Sequence, residues 1–368
     1  MKTTKLKVNT KNTKYSIIIG SGIINKLSKI LNQNSIKFNK SLLIIDSKVP
    51  KVLIKKIIKS LSKKKRIVYL FKASELNKNQ KSVNKILEIL LKNNFHRNDC
   101  LISIGGGIVG DVSGFAASIF KRGIRFINIP TTLLAQVDSS IGGKTGINTS
   151  SGKNLIGSFY QPSIVISDTN FLKTLPKREV ICGYGEILKH SIISNKKFFL
   201  FLNKNASKIL NLKSPYIEKS IYQSCLIKKK IVEKDEKETK LRKVLNFGHT
   251  FAHAYEASLK YSKKLNHGEA VIMGIMSASK FSLKSNLLSK NEFQLISNHL
   301  SRFKLKMPLK KYFSINNLKT IISFMNKDKK NNNEKINLIL LKKIGSPIID
   351  LKFNQKIISS FIKNELKN

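Results

Sequence analysis

The stretch from Ile104 to Pro162 constrains this chain more than any other. It reads IGGGIVGDVSGFAASIFKRGIRFINIPTTLLAQVDSSIGGKTGINTSSGKNLIGSFYQP and holds more than half of the 19 glycines among 368 residues, with two strand-like apolar runs, two exposed-looking aspartates and spaced Arg and Lys residues between them. Ordinary packing does not require so many special backbone positions. The pattern implies an anionic ligand approached closely by backbone. Within it, Gly105 to Gly110 satisfies G-x-G-x-x-G, follows a strand-like run and opens onto a helix-compatible segment, so backbone amides could meet a pyrophosphate at a helix N-terminus. The motif follows a later strand, however, and the acid expected about 20 residues on is replaced by FKRGIRFINIP. We therefore expect a nucleotide site of the same physics but different wiring, with Asp46 or Glu75 at the ribose or adenine end.

Upstream, apolar runs at Tyr15–Ile19, Ser41–Ile45, Arg66–Phe71 and Cys100–Ile104 alternate with helical spacing at Ile23–Leu31, Val52–Leu61 and Asn84–Asn93. Such alternation predicts a parallel sheet covered on both faces, with ligands at the carboxyl ends of the strands. Asp46, Glu75 with Lys78, Gly105 to Asp111, and Thr131 with Thr132 all follow strand-like runs. After Pro176 the spacing becomes three and four, in Val180–Ile193, Phe198–Leu210, Ile217–Val232, Leu245–Leu259 and Glu269–Ser282. The expected organisation is an α/β nucleotide-binding domain with a parallel sheet over residues 1–178 and a mainly α-helical domain over 179–368, the latter with a polar loop at Asn326–Lys335 before the strand-like INLILL. No internal repeat is visible.

Charge could suggest another class of function. The 69 Lys+Arg against 21 Asp+Glu give +48, but the lysines are scattered with Asn and Ile through the whole chain, as compositional drift of a coding sequence would leave them, and no nucleic-acid-binding motif accompanies them. We expect no specific nucleic-acid partner; the charge suits a phosphorylated, carboxylated substrate. Cys100, Cys182 and Cys225 lie far apart without a CxxC pair, so neither a disulfide framework nor a thiolate metal site is expected. The basic N-terminus lacks a signal-peptide apolar core, and no apolar run approaches the roughly 18 to 20 residues of a membrane helix. The expectation is a soluble, cytoplasmic protein with no membrane partner.

The helical half carries the metal-binding chemistry. Glu186 lies in GYGEILKH, which puts Lys189 and His190 one turn on. Asn246, His249 and His253 lie in NFGHTFAHAYE, where the two histidines share a helix face; His267 opens HGEAVIMGIM. One carboxylate and two imidazoles meet the needs of a catalytic zinc ion with an open position. Spacing alone leaves open which two histidines ligate.

GGGIVGD, KRGIRFINIPTTLLAQVDSSIGGKTGIN, GKNLIGSFYQP, LKTLPKRE, NFGHTFAHAYE and HGEAVIMGIM together resemble the 3-dehydroquinate synthases, along nearly the whole chain and most densely from Gly105 to Gly274. The resemblance implies NAD, a divalent metal (Zn2+, with Co2+ or another ion as alternatives) and a homodimer. By position it implies Glu186, His249 and His267 as metal ligands. Cofactor positions would be Asp46, Glu75, Lys78, Gly107, Ile108, Val109, Gly110, Asp111, Thr131, Thr132, Lys144, Lys153, Phe171, Leu172, Lys173 and Thr174. Substrate positions would be Asp138, Lys153, Asn154, Lys189, Lys228, Arg242, Asn246 and His253, with Arg122 reaching a neighbouring subunit's site and one of Lys329 and Lys330 completing the set. The chain departs from the family at Ala73-Ser74, where Asp-Gly is usual, and at His190, where tyrosine is common.

The implied reaction converts 3-deoxy-D-arabino-heptulosonate 7-phosphate to 3-dehydroquinate and phosphate in the shikimate route to aromatic amino acids. A ring hydroxyl is oxidised, phosphate is eliminated, the hydride returns, and an intramolecular aldol closes the ring. Alternatives are a cyclase for another sugar phosphate and a metal-dependent polyol or glycerol dehydrogenase.

Overall fold

The structure, a computed structural model, describes residues 3–61, 64–327 and 335–367. Two compact units make up the chain, residues 1–180 with 214–237 and residues 181–213 with 238–368. The division is not a single cut. The helix Tyr216–Lys234, which helical spacing alone assigns to the second half, returns to the first unit and packs on its two N-terminal strands and on the turn Ala135–Ser139. Its stripe of Ile217, Ile221, Cys225 and Val232 is buried. Periodicity reveals such a stripe but not the partner that covers it.

In the first unit the strands are β1 (Thr4–Asn9), β2 (Lys14–Gly20), β3 (Lys40–Asp46), β4 (Lys65–Phe71), β5 (Cys100–Gly105), β6 (Arg125–Pro130), β7 (Lys144–Thr149), β8 (Gly152–Phe159) and β9 (Ile164–Asp168). Seven form one sheet in the order β1-β2-β9-β6-β5-β3-β4. It is parallel except at β1, which joins β2 as an antiparallel edge. The continuous apolar runs follow from burial on both faces. In β3, Leu43 and Ile45 enter one core with Ile102, Ile104 and Ile127, while Leu42 and Ile44 enter the other with Leu101 and Phe126. Each such side chain contributes about 1.5–3 kcal/mol on burial.

Strand order fixes where a ligand can sit. From β3 the chain moves outward to β4, then returns to β3's other side to lay down β5 and continues through β6. The order reverses between β3 and β5, and the carboxyl ends at that switch point are Asp46 and Gly105. Downstream, the glycine-rich sequence forms an antiparallel hairpin of β7 and β8. Residues Ala135–Ser139 form a π-helical turn, a geometry frequent at functional sites.

The second unit is helical, and INLILL is a strand as expected. It pairs antiparallel with a second strand absent from the sequence reading: β10 (Lys335–Lys343) and β11 (Ser346–Asn354). Phe281 anchors this unit's core, its ring 4.9 Å from Phe353 and 5.1 Å from Phe361 between centroids. The single helix expected over Leu245–Leu259 is broken. A 3₁₀ turn Leu241–Asn246 ends at Phe247, and Gly248 at φ 78° restarts the chain as the helix His249–Ser258. Only glycine takes that conformation cheaply.

Candidate active site

Three elements of the second unit converge on one carboxylate. Glu186 lies within the helix Lys177–Ser194, His249 opens the helix His249–Ser258, and His267 opens the helix His267–Lys284. Glycines set the approach. A Cβ on Gly268 would stand 2.2 Å from the Cys182 Cα, and one on Gly274 would stand 2.1 Å from the Gly248 carbonyl oxygen. Hydrogen in place of a side chain lets the third helix lie directly against the other two elements. Its start is fixed by a capping box, with the Asn266 side chain accepting from the Glu269 N–H and the Glu269 carboxylate accepting from the Asn266 N–H.

His249 Nε2 lies 3.5 Å and His267 Nε2 3.9 Å from the same Glu186 oxygen, Oε1. The ligand atoms of these three residues all fall within 4.8 Å of one another. Glu186 is fully buried, and neither of its carboxylate oxygens has a hydrogen bond. Lys189 Nζ contacts Oε2 as an ion pair without hydrogen-bonding alignment. Burial of a carboxylate on these terms is costly unless a cation compensates it. Burial also holds the His249 imidazole well below its ordinary pKa, and its neighbours Lys189, His253 and His267 push it the same way. It is thus neutral, the state in which imidazole ligates a metal. This donor set of one carboxylate and two imidazoles fits a divalent transition metal with positions left for substrate.

Of the other expected residues in this unit, Lys189, His190 and Arg242 are buried, Asn246 is half-buried and His253 is exposed. Asn246 Nδ2 donates to Glu238 Oε1 at 2.7 Å. The His253 ring is 5.2 Å from that of His249 and 6.2 Å from that of His267, centroid to centroid. Lys329 and Lys330 lie outside the described residues. A residue the sequence reading missed is Glu256, which accepts from His267 Nδ1 at 3.1 Å. Its signal was present in its position seven after His249 on one helix face.

In the first unit the expected cofactor positions gather at the carboxyl edge of the sheet. Gly107 to Asp111 form the opening turns of the helix Gly107–Ile119, whose N-terminus has no side-chain cap and no acidic residue in its first turn. A Cβ on Gly107 would come within 3.0 Å of Ser139 Oγ. Thr131 N–H donates to the Gly105 carbonyl at 2.9 Å, and Thr132 Oγ1 accepts from the Ala135 N–H at 3.2 Å. Asp46, at the tip of β3, accepts from the Lys48 N–H at 3.1 Å, and burial raises its carboxyl above the usual range.

The two aspartates expected to be exposed are instead partly covered, and each takes a lysine. Lys78 Nζ bonds Asp111 Oδ2 and Asn154 Oδ1, both at 2.5 Å. Lys228 Nζ bonds Asp138 Oδ1 at 2.5 Å and its carbonyl at 2.6 Å. Burial raises the Asp111 pKa, opposed chiefly by the charge and hydrogen bond of Lys78. Lys153, on β8, lies 3.3 Å from Glu75 Oε1. Asn148, unremarked in the sequence, ties the set together: its side chain donates to Glu75 Oε2 at 2.8 Å and accepts from the Asn154 N–H at 3.1 Å, while its own N–H donates to the Lys78 carbonyl at 2.8 Å.

Other expected positions are more dispersed. Lys144 is exposed at the start of β7. In the 3₁₀ turn Thr169–Thr174, Phe171 and Leu172 are core residues while Lys173 and Thr174 face solvent. Arg122 is exposed in a turn where Lys121, Arg122 and Gly123 take φ of 46°, 62° and 123°.

Residues 68–182 match the family model described as 3-dehydroquinate synthase N-terminal, and residues 183–331 match that described as 3-dehydroquinate synthase C-terminal. A 3-dehydroquinate synthase of Pelagibacter ubique strain HTCC1062 is 67% identical over 362 residues, covering 98% of each chain. Among solved structures, a 2-deoxy-scyllo-inosose synthase complexed with carbaglucose-6-phosphate, NAD+ and Co2+ superposes with a TM-score of 0.89 at 24% identity, covering 98% of this chain and 100% of that one. A 2-epi-5-epi-valiolone synthase from Streptomyces hygroscopicus subsp. jinggangensis 5008, with NAD+ and Zn2+ bound, superposes at 0.85 with 21% identity, covering 98% of each chain. Those two neighbours establish the fold. With two models of one enzyme meeting end to end at residues 182 and 183, and near-complete alignment to a relative at two-thirds identity, the chain belongs to the 3-dehydroquinate synthase family.

Proposed function

We propose that this chain converts 3-deoxy-D-arabino-heptulosonate 7-phosphate to 3-dehydroquinate and inorganic phosphate, using NAD and a divalent metal. The observation that carries the reading is the buried Glu186 carboxylate, without a hydrogen bond, facing the Nε2 atoms of His249 and His267. NAD+ with Co2+ or Zn2+ in the two fold neighbours supports the same pair of cofactors here. Glu186, His249 and His267 would hold the metal. The uncapped helix at Gly107, with Asp46 across the switch point, would hold the dinucleotide. When bound, the metal supplies Lewis acidity toward a substrate alcohol and NAD a reversible hydride acceptor.

The chain's own residues bind and orient. Lys153 and Asn154 on the hairpin, Lys228, Arg122, Lys189, Arg242, Asn246 and His253 are the cationic and amide donors we assign to substrate. Charge-assisted bonds of this kind suit the phosphate and carboxylate of a sugar acid phosphate. Holding both ends of the substrate keeps the reacting alcohol in one orientation through oxidation, elimination and return of hydride. The Lys78–Asp111 pair fixes Asn154 through the shared ammonium. The substrate's own phosphate is the base we assign to the elimination. Among the described residues no helix is long and apolar enough to cross a membrane. A cytoplasmic homodimer in which Arg122 reaches the partner's site completes the reading.

Mixing the purified protein with NAD+, a divalent metal and the heptulosonate phosphate tests it. Phosphate release that needs all three, without net NADH, is expected. Net NADH accumulation without phosphate release would identify a dehydrogenase instead.

A further inference from the structure

Glu256 occupies a position that local physics disfavours. It lies in the last turn of the helix His249–Ser258, where the carbonyl end of the helix repels a carboxylate and no basic residue occupies that turn, and it is only 7% exposed. A buried acid placed against the helix dipole implies compensation from outside the helix. Its Oε2 lies 3.1 Å from His267 Nδ1. An ionised carboxylate only accepts, so Nδ1 carries the proton and donates. With Nδ1 turned to Glu256, the ring presents Nε2 to Glu186 Oε1, 3.9 Å away. His249 has the same arrangement by another device: its Nδ1 lies 3.3 Å from the Phe247 carbonyl and its Nε2 faces Glu186.

We propose that Glu256 is a positioning residue for the metal site, fixing the tautomer and ring orientation of His267 and raising its basicity as a ligand. The inference rests on the metal reading of Glu186, His249 and His267. A carboxylate behind a ligating imidazole strengthens the ligand, and losing such a partner typically costs about 10- to 100-fold in metal affinity. The same geometry admits one rival role. His253, Glu256 and His267 also place ligand atoms within 4.8 Å of one another, so Glu256 could ligate a second ion, with His267 Nδ1 deprotonated.

The test strips the full-length protein of metal with a chelator and titrates Co2+ alone into the wild type, Glu256→Gln, Glu256→Ala and His267→Ala. Affinity, stoichiometry and the visible d–d absorption band are read, with circular dichroism of each metal-free protein as a folding control. The proposal expects one Co2+ per wild-type chain and about 10- to 100-fold weaker binding with an altered band in Glu256→Ala. Glu256→Gln, which keeps an acceptor oxygen but loses the charge, should fall between them. If Glu256→Ala does not fold, Glu256→Gln decides alone: wild-type affinity and band in it overturn the proposal. So does wild-type behaviour in Glu256→Ala. A second Co2+ in the wild type that vanishes with Glu256 would make it a ligand and overturn the positioning role. No Co2+ binding by the wild type would instead sink the metal reading itself, which His267→Ala, losing the ion altogether, is expected to support.

Discussion

Replacing Gly274 with alanine tests whether the helix His267–Lys284 must lie directly on the start of the helix His249–Ser258. The added Cβ would stand 2.1 Å from the Gly248 carbonyl oxygen and 3.1 Å from the Ala252 nitrogen. Ordinary contact begins near 3.4 Å, so the two backbones must part by roughly 1 Å or the chain must distort, and overpacking of this kind costs about 1–3 kcal/mol. Relief by rotating a side chain is excluded, because the obstructing atoms are backbone. Gly248 immediately precedes His249, so any parting moves one imidazole relative to the other. Metal sites tolerate only about 0.2 Å in ligand distance. Gly274→Ala should therefore lose both stability, by about 1–3 kcal/mol in urea unfolding, and Co2+ affinity, by at least about tenfold. Ala278, also buried on the same helix, provides a control site for Ala278→Gly. An unchanged unfolding midpoint together with unchanged Co2+ affinity in Gly274→Ala would refute the reasoning.

Three further outcomes follow from the same geometry. His299 is buried between the Tyr184 hydroxyl at 2.9 Å and Asn203 Oδ1 at 3.2 Å, and burial lowers its pKa to about 4. The unfolded chain takes up that proton near pH 6.5 and the folded chain only near 4, so stability is lost as pH falls through this window, by up to about 3 kcal/mol. His299→Gln should flatten the fall in melting temperature over that range, and an unchanged profile would disprove the linkage. Lys153→Ala removes a partly exposed ion pair with Glu75, worth about 1 kcal/mol at most. Turnover should collapse while the circular dichroism melt barely shifts; a misfolded variant would make Lys153 structural instead. Lys78→Met leaves Asp111 without its ammonium and should cost about 2 kcal/mol in urea unfolding, together with weaker NAD+ binding by fluorescence titration; wild-type values for both would remove Lys78 from the network.

Much of this was legible in the residues because local signals and tertiary outcome agreed. β3 and β5 are buried on both faces, so their apolar runs could be read directly, and Asp46 and Gly105 fell at their carboxyl ends. What was not legible depended on partners distant in sequence. Helical spacing in Ile217–Val232 showed a buried stripe but could not show that it faces β1 and β2. Gly248 sat inside an apparently continuous helical pattern, and only the close approach of Gly274 explains the break there. The β7–β8 hairpin was not identified from the sequence; its glycines are small because the strands cross closely, with a Cβ on Gly157 meeting the Thr145 carbonyl at 2.0 Å. Within the candidate site, the spacing of His249, His253 and His267 left the ligating pair open. In the fold His249 and His267 share a common Glu186 oxygen, which favours that pair.

In the proposed reaction one substrate alcohol is oxidised and later restored on the same chain. Supplying heptulosonate phosphate carrying deuterium at C5, the alcohol carbon whose oxidation acidifies the C6–H next to the phosphate-bearing C7, with NAD+ and Co2+, and analysing the product by mass spectrometry and NMR tests this. One phosphate released per product, full retention of deuterium at the original carbon and no build-up of NADH are expected; deuterium lost to solvent or left in a pool of free reduced cofactor would contradict transient oxidation.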